Sequence, residues 1–389
     1  MARIKIAFAA FVFSTAAQAP QPAPVTGWWR ASLSHDGESQ DIWLHFQDRG
    51  GKLIASFSNP QIGIDDTPLS RVTITPQTVE LSSIGWSLHR DADGTLSGTI
   101  PEALVPVYVL RARFERSQAP RHIAPPQPVT PAPKPEWQHS VGAKVYAGLA
   151  FDAFRKHVIV ATDAGKVASL RARSGQLAWA AEGGAPIRAT PLVTRKAIYV
   201  PTDKALLKLD AGTGRLIWSA PIGEGKAQRL DIDDPKSRWD HYSSSAVVSA
   251  TAVYVGSRDG CVYRFKVESG ASLGRYCASD MVTATPVVEG GRIYFASFDK
   301  TVYAVDVASG RTLWKRNVSG EVPRDLALAG HNILAGSRSY DLVALDKLTG
   351  QPSWTRYYWF SWVDSPPNVI GPTVYIGASD SLRLYAFDS

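Results

Sequence analysis

The sequence predicts an all-β protein in which a six-bladed β-propeller follows a small antiparallel β-barrel or sandwich. One observation behind this prediction is composition: 31 Gly and 26 Pro residues separate many short apolar runs, as turns do in sandwiches, barrels and propellers. The other is an internal repeat of about 40 residues, a period typical of units that must stack on their neighbours. An apolar run followed by a small turn opens each repeat, at Val158, Ile198, Val253, Ile293, Ile333 and Val374.

The N-terminal residues have the pattern of a secretory signal peptide, which we predict to be residues 1–19. Arg3 and Lys5 precede an apolar stretch, and Ala17 and Ala19 supply small residues for cleavage. The apolar stretch is well short of the roughly 20 residues that span a bilayer, which disfavours an anchoring helix. We therefore expect a periplasmic or secreted protein with no transmembrane segment.

Residues 20–116 are predicted to form the small β-barrel or sandwich. About eight short runs alternate between apolar and polar residues, and turns such as Asp93-Gly94 separate them. The opening Gly27-Trp28-Trp29 and the run Gly94–Gly98 resemble the small β domain in front of some secreted bacterial hydrolases. This resemblance implies no active site in this segment.

Residues 117–135 are predicted to be an extended linker. Proline recurs there so often that neither a helix nor a central strand can form. The linker marks a domain boundary, and the propeller is expected to occupy residues 136–389.

The two ends of the propeller segment complement each other. The sixth repeat ends at Asp388 without the Gly and Trp that close other repeats, whereas Trp137 precedes the first complete repeat. We therefore predict that residues 138–141 add the missing strand beside residues 382–387. Such a strand would close the ring and remove exposed sheet edges.

The repeats resemble the PQQ-type propeller repeat, in which Asp, Thr or Ser, Gly and Trp recur at fixed spacing. Here they stand at Asp210, Thr213, Gly214 and Trp218, and the same spacing returns in later repeats. The resemblance implies that each Trp docks against the neighbouring blade. It does not by itself imply the quinone cofactor.

Two branches of this family suggest different functions. Quinoprotein dehydrogenases use an adjacent Cys-Cys pair over the quinone and a calcium ion, whereas the two cysteines here, Cys261 and Cys277, are separate. The outer-membrane assembly factor of the same repeat type is a non-catalytic periplasmic propeller that binds partner proteins. That family is usually eight-bladed and lipid-anchored, in contrast to the six repeats and the absence of a lipidation Cys here.

We therefore favour a non-catalytic scaffold that binds a protein partner or another ligand. A carbohydrate-binding protein or an unrecognised hydrolase or lyase is an alternative, and a PQQ-dependent dehydrogenase is a weaker one. We expect a monomer without a cofactor. The formal net charge of +7 is dispersed along the chain, which argues against a nucleic-acid partner.

Candidate binding residues come from the repeat alignment and from two departures from it. The alignment places six side chains near one mouth of the channel, where they would bind a ligand or only solvate a water-filled channel; they are Tyr146, Arg188, Ser243, Thr283, Arg324 and Asp364. The third interval is longer, and insertions in repeat proteins usually lie on the binding face. A second departure is an aromatic-rich run before the last repeat. The aromatic side chains of this run and of the insertion would form an exposed stacking surface for sugars or peptide anchors, or they are buried between blades. The candidates are Tyr146, Arg188, Arg324 and Asp364 from the alignment, Trp239 and Tyr242 from the insertion, and Trp359 and Trp362 from the aromatic run.

Cys261 and Cys277 are predicted to form a disulfide bond. They lie on adjacent antiparallel strands of one repeat, and a turn centred on Ser269 would place them opposite each other. Two buried thiols are the alternative. We find no metal-ligand or catalytic signature, because the histidines are scattered and no Gly-x-Ser-x-Gly elbow occurs.

Overall fold

The computed structural model describes residues 24–35, 38–62, 64–101, 109–121, 134–225, 227–230, 234, 236–358, 362–379 and 384–388. The chain divides into two compact units, whose described parts end near residue 121 and begin at residue 134. All regular structure in these residues is β-strand apart from one 3-10 turn, Pro60–Ile62, which confirms the all-β prediction. The predicted signal peptide and most of the predicted linker lie outside the described residues, so the domain boundaries stay predictions.

The first unit is one nine-stranded antiparallel sheet in the order β4-β3-β2-β1-β9-β8-β7-β6-β5. In β1 the buried residues Ala31 and Leu33 alternate with exposed Ser32 and Ser34, the pattern of a sheet with one face on the core. The strand β4 was missed by the sequence prediction because its residues show no such alternation. The strands are β1 Gly27–His35, β2 Glu38–Arg49, β3 Lys52–Asn59, β4 Ile64–Leu69, β5 Val72–Ile74, β6 Thr78–Leu81, β7 Trp86–Arg90, β8 Leu96–Pro101 and β9 Val109–Ser117.

The second unit is the propeller, with five four-stranded sheets followed by a three-stranded sheet in the described residues. Consecutive strands pair antiparallel within each blade, so each blade is a local meander. The blades are blade 1 (β10 Ala150–Asp152, β11 His157–Ala161, β12 Lys166–Arg171, β13 Leu177–Glu182), blade 2 (β14 Leu192–Val193, β15 Ala197–Pro201, β16 Ala205–Asp210, β17 Leu216–Pro221), blade 3 (β18 Ala246–Ser249, β19 Ala252–Gly256, β20 Cys261–Lys266, β21 Ser272–Cys277), blade 4 (β22 Val287–Glu289, β23 Arg292–Ala296, β24 Thr301–Asp306, β25 Thr312–Asn317), blade 5 (β26 Ala327–Ala329, β27 Asn332–Gly336, β28 Asp341–Asp346, β29 Pro352–Tyr357) and blade 6 (β30 Asn368–Ile370, β31 Thr373–Gly377, β32 Leu384–Asp388).

The repeated Asp-Thr-Gly pattern forms the turn between the third and fourth strands of a blade. In blade 2, Asp210 Oδ1 accepts hydrogen bonds from the backbone N–H groups of Gly212 and Thr213 at 3.0 and 2.9 Å. The Thr213 hydroxyl also donates a hydrogen bond to Asp210 Oδ1. This bond, together with the two backbone bonds, lowers the pKa of Asp210. Gly214 has a φ of +74°, which a residue without a side chain adopts at least cost. The same turn recurs at Asp346.

The tryptophans dock on the next blade, as the family resemblance implies. Trp218 Nε1 donates to the carbonyl oxygen of Val267 at 3.1 Å, and its ring covers the turn at Gly270. Blade 3 has no Trp at this position. Tyr276 takes its place, with its hydroxyl 3.1 Å from the carbonyl oxygen of Val307. Apolar clusters fill these seams, for instance between blades 2 and 3.

The predicted closing strand is not formed by the described residues. Blade 6 has three strands, and residues 134–149 contain no strand. Residues 138–140 are polar and exposed, so they lack the alternation that a half-buried strand needs. Trp137 nevertheless occupies the docking position on blade 1, because its Nε1 donates to Ala172 O at 2.9 Å and its ring lies against Gly175.

The face of blade 6 that carries Tyr375 is less covered than the matching faces of blades 2 to 4. Tyr199, Tyr254 and Tyr294 occupy one position in the second strands of blades 2 to 4 and are 2%, 2% and 1% exposed. Tyr375, at the same position in blade 6, is 36% exposed. The described residues therefore leave Tyr375 without the cover that buries the tyrosines of blades 2 to 4.

Candidate functional site

The candidate residues lie at one end of the propeller, where two sets of loops meet. One set of loops leads into the innermost strand of each blade. The other set connects the second and third strands of each blade. Backbone hydrogen bonds link the two sets, as from Arg338 N to Glu321 O and from Ser379 N to Trp362 O, both at 2.9 Å. We call this end the mouth.

The described residues of the insertion, 223–225, 227–230, 234 and 236–242, lie across the mouth and contact loops belonging to every blade. The insertion thus lies at the same end as the residues that the repeat alignment singled out. The contacts pair His241 with Tyr146 before blade 1, Arg229 with Asp203 of blade 2, Asp240 with Arg258 of blade 3, Arg238 with Asp280 before blade 4, Tyr242 with Arg324 before blade 5, and Trp239 with Trp362 before blade 6.

Asp240 is the buried charge at the centre of this arrangement. Its side chain is 2% exposed and accepts a hydrogen bond from Arg258 Nε at 2.7 Å. Arg229 Nε lies 3.7 Å from the same carboxylate. Burial lowers the pKa of Arg229, while the carboxylates of Asp203 and Asp240 oppose this effect. A buried carboxylate needs such partners, since removing them would leave an uncompensated charge.

Arg338 fastens the insertion to blade 5. Its side chain is 5% exposed and lies 3.4 Å from Asp364. It donates to the carbonyl oxygens of Arg238 and Trp239 at 2.8 and 3.0 Å. Trp239 has a φ of +55°, a costly conformation for a bulky residue. The hydrogen bonds from Arg338 therefore hold Trp239 in a conformation that it would otherwise avoid.

Two aromatic side chains and one cation face outward from this base. Trp239 and Tyr242 are 45% and 40% exposed. The Trp239 ring meets Trp362 edge to face at 5.7 Å, and the Arg324 guanidinium lies 3.6 Å from the centre of the Tyr242 ring. Arg324 makes no ion pair with any described residue. We call Trp239, Tyr242, Arg324 and Trp362 the mouth surface.

The other predicted residues have more structural surroundings. Arg188 Nε donates to Asp163 at 2.6 Å, and its guanidinium lies 4.7 Å from the centre of the Tyr146 ring. Tyr146 in turn stacks on His241. Asp364 is engaged by Arg338. Trp359 lies outside the described residues, so its predicted role is neither supported nor contradicted.

Sequence reasoning missed the residues that hold the insertion, above all Arg258, Arg338 and Asp240. A signal was present for the two arginines. The second strands of blades 3 and 5 both end in a Gly that is followed by Ser-Arg, at residues 256–258 and 336–338. The repeat alignment places both arginines at the mouth, next to the insertion. Burial lowers the pKa of His241, which sequence reasoning treated only as one of the scattered histidines.

The mouth is filled rather than hollow. The cavity among Trp239, Tyr242, Arg324, Arg338 and Asp364 has a volume of ≈ 10 Å³. A larger cavity of ≈ 230 Å³ lies away from this centre, between blades 2 and 3, and is lined in part by the insertion. The centre of the mouth is therefore a surface and not a pocket.

The residues present do not fit a quinone held over a cysteine pair with calcium. Cys261 and Cys277 face each other on β20 and β21 and are joined by the predicted disulfide bond. Among the described residues, no group of three or more His, Cys, Asp or Glu side chains could hold a metal ion. Acidic side chains at the mouth pair with arginines instead, as Asp163 with Arg188, Asp203 with Arg229, Asp240 with Arg258, Asp280 with Arg238 and Asp364 with Arg338.

Comparisons with known proteins agree on the architecture. The family model described as outer membrane protein assembly factor BamB matches residues 134–356 and 299–389. The crystal structure of BamB from Moraxella catarrhalis is similar, with a TM-score of 0.55 and 17% identity over 82% of this chain and 84% of that chain. The computationally designed Ika8 protein has a TM-score of 0.51 and 14% identity over 92% of this chain and 96% of that chain. Both likenesses support the fold alone, and the curated proteins include no significant match.

Proposed function

The chain belongs to the outer membrane protein assembly factor BamB family, and from this premise we propose that it is a periplasmic or secreted, non-catalytic scaffold. In this proposal the mouth surface binds a partner protein that takes part in outer membrane protein assembly. The observation that carries the proposal is a filled mouth from which Trp239 and Tyr242 project on a rigid base.

Composition and rigidity of the mouth surface support protein recognition. Trp, Tyr and Arg are the residues most often found at the energetic centres of protein interfaces. Arg338 and Trp362 hold Trp239 before a partner arrives. Little ordering entropy would then be lost on binding, which is how preorganised surfaces gain affinity.

Two features support a location outside the cytoplasm. The disulfide between Cys261 and Cys277 suits an oxidising compartment, and the first 19 residues have a signal-peptide pattern. No helix in the described part of the chain is long and apolar enough to cross a membrane.

Photo-crosslinking from the mouth tests the proposal. A photoreactive amino acid replaces Tyr242 in the full chain, produced in the periplasm, and the adducts are identified by mass spectrometry. We expect an adduct with a component of outer membrane protein assembly, and we expect Trp239→Ala to remove it. The control places the same group at Leu348, which is 58% exposed on a turn at the other end of the propeller.

Equal adducts from both positions, or an adduct unaffected by Trp239→Ala, would refute binding through the mouth. Glycan-array binding that depends on Trp239 would instead indicate carbohydrate recognition, since exposed aromatic rings also stack on sugars. Absorbance of a bound quinone with calcium, together with dye reduction, would revive the dehydrogenase alternative.

A further inference from the structure

A second candidate surface lies at the opposite end of the propeller, in a groove between blades 1 and 2. The groove has a volume of ≈ 720 Å³ and is open to solvent. The groove is lined by the turn between the first and second strands of each of these two blades and by the last two strands of blade 2. The side chains that matter for recognition are Phe154, Arg155, Arg195, Lys196, Lys208 and Ile217.

The groove exposes two apolar side chains, one of them in a turn that holds no large apolar residue in blades 3 and 4. Phe154 is 65% exposed and Ile217 is 42% exposed. Phe154 stands in the turn between β10 and β11. The corresponding turns of blades 3 and 4 are Ala250-Thr251 and Gly290-Gly291. The blade fold therefore does not require a large apolar residue in this turn, and Phe154 is available to a partner.

Positive charge surrounds this apolar strip. Four cationic side chains line the groove, whereas Asp210 is its one acidic lining residue. Asp210 is already engaged by the turn that follows it. Arg155 pairs with the buried Asp152 at 3.0 Å. Arg195 and Lys196 make no ion pair with any described residue, and the Arg195 guanidinium lies 5.8 Å from the centre of the Phe154 ring.

We propose that this groove binds an acidic peptide segment of a partner protein through one apolar side chain flanked by carboxylates. The apolar side chain packs on Phe154 and Ile217. Its neighbouring carboxylates pair with Arg195 and Lys196, which complement them in charge. A single extended chain matches a concave groove better than a flat bilayer does. The site is separate from the mouth surface and does not depend on the function proposed for it.

A peptide-binding measurement tests this assignment. The probe is a short fluorescein-labelled peptide with Glu and Asp around one central Phe, and fluorescence anisotropy reports its binding to the full chain. We expect Phe154→Ala to weaken binding at least about fivefold and Arg195→Glu with Lys196→Glu more than about tenfold, as for central interface anchors and charge reversal. Higher salt should also weaken binding, because exposed charges are screened.

Matched controls show whether weaker peptide binding comes from the groove or from any change to the protein surface. Leu348→Ala removes a comparably exposed apolar side chain in blade 5, and Lys315→Glu reverses an exposed charge in blade 4. Both should leave binding within about twofold, because surface substitutions away from the site rarely matter. Trp239→Ala should also leave it unchanged, which distinguishes this groove from the mouth. All altered residues are exposed, and circular dichroism checks that each variant folds.

The assignment is overturned if the acidic peptide fails to bind or if the groove variants bind it as the parent protein does. Equal binding of a peptide with Lys in place of Glu and Asp would also overturn it. Binding to vesicles of phosphatidylglycerol and phosphatidylcholine without binding to the peptide would assign the groove to a membrane surface instead.

Discussion

Replacing Gly270 by Ala should destabilise the propeller much more than the same change at Gly310. The two glycines hold the same place in the turn before the fourth strand, in blades 3 and 4, with φ of +70° and +71°. They differ in what a new methyl group would meet. At Gly270 it would lie 2.8 Å from a ring carbon of Trp218, whereas at Gly310 the nearest atom, in Tyr276, is 3.7 Å away.

The expected magnitudes follow from this difference. Both variants place an Ala at positive φ, which costs about 1 kcal/mol. At Gly310 little else changes, because 3.7 Å is ordinary van der Waals contact. At Gly270 the ring of Trp218, 9% exposed, must move out of a packed seam, and such overpacking adds about 2 kcal/mol. We expect losses of unfolding free energy of about 1 kcal/mol for Gly310→Ala and about 3 kcal/mol for Gly270→Ala.

Urea unfolding with the disulfide intact measures both values, and near-ultraviolet circular dichroism reports whether the Trp218 environment changes. Gly330→Ala is a further control, since its φ is +57° and nothing lies within 4 Å of the added carbon. Equal losses in Gly270→Ala and Gly310→Ala would refute the view that ring-on-glycine docking holds the blades together.

Three other predictions concern the mouth and the disulfide. Arg338→Met should lower the free energy of unfolding by about 3 kcal/mol, because two charge-assisted hydrogen bonds to carbonyl oxygens are lost. Asp364→Asn should lower the free energy of unfolding by less. If urea unfolding shows a larger loss for Asp364→Asn than for Arg338→Met, Arg338 does not hold the insertion in place. Burial lowers the pKa of His241 below its unfolded value, so the unfolded chain binds more protons and stability should fall as the pH drops below about 6.5. His241→Gln should reduce this slope in unfolding measured between neutral and mildly acidic pH, and an unchanged slope would assign it to other groups. Replacing Cys261 and Cys277 by Ser should cost roughly 3 kcal/mol through the lost loop constraint, and a reductant should then destabilise only the parent protein in thermal unfolding.

The sequence was sufficient wherever a local pattern sets the structure. Alternation and the repeat identified the blades, since burying one face of a strand imposes a period of two. The turn at Ser269 placed Cys261 opposite Cys277 because hairpin register follows from turn position. The Gly and Trp spacing located the docking positions between blades, including that of Trp137.

The closing strand shows where such reasoning went too far. Trp137 does lie on Gly175 as a docking tryptophan should. The prediction extended this to residues 138–141, although they lack the apolar alternation of a strand. The prediction inferred a whole strand from the spacing of Trp137 and from the Gly and Trp missing in the last repeat. A docked ring requires only that one residue lies at the right place, and not that its neighbours form strand hydrogen bonds.

The mouth was decided by the tertiary structure. The sequence suggested that the insertion lies on a binding face, and it left open whether the aromatic residues of the insertion are exposed or buried between blades. It did not indicate that Arg338 donates to the carbonyl oxygen of Arg238, a residue 100 positions away, or that Asp240 is buried between two arginines. Such contacts form only when the blades bring distant loops together around the channel, and no local periodicity encodes the distance between them.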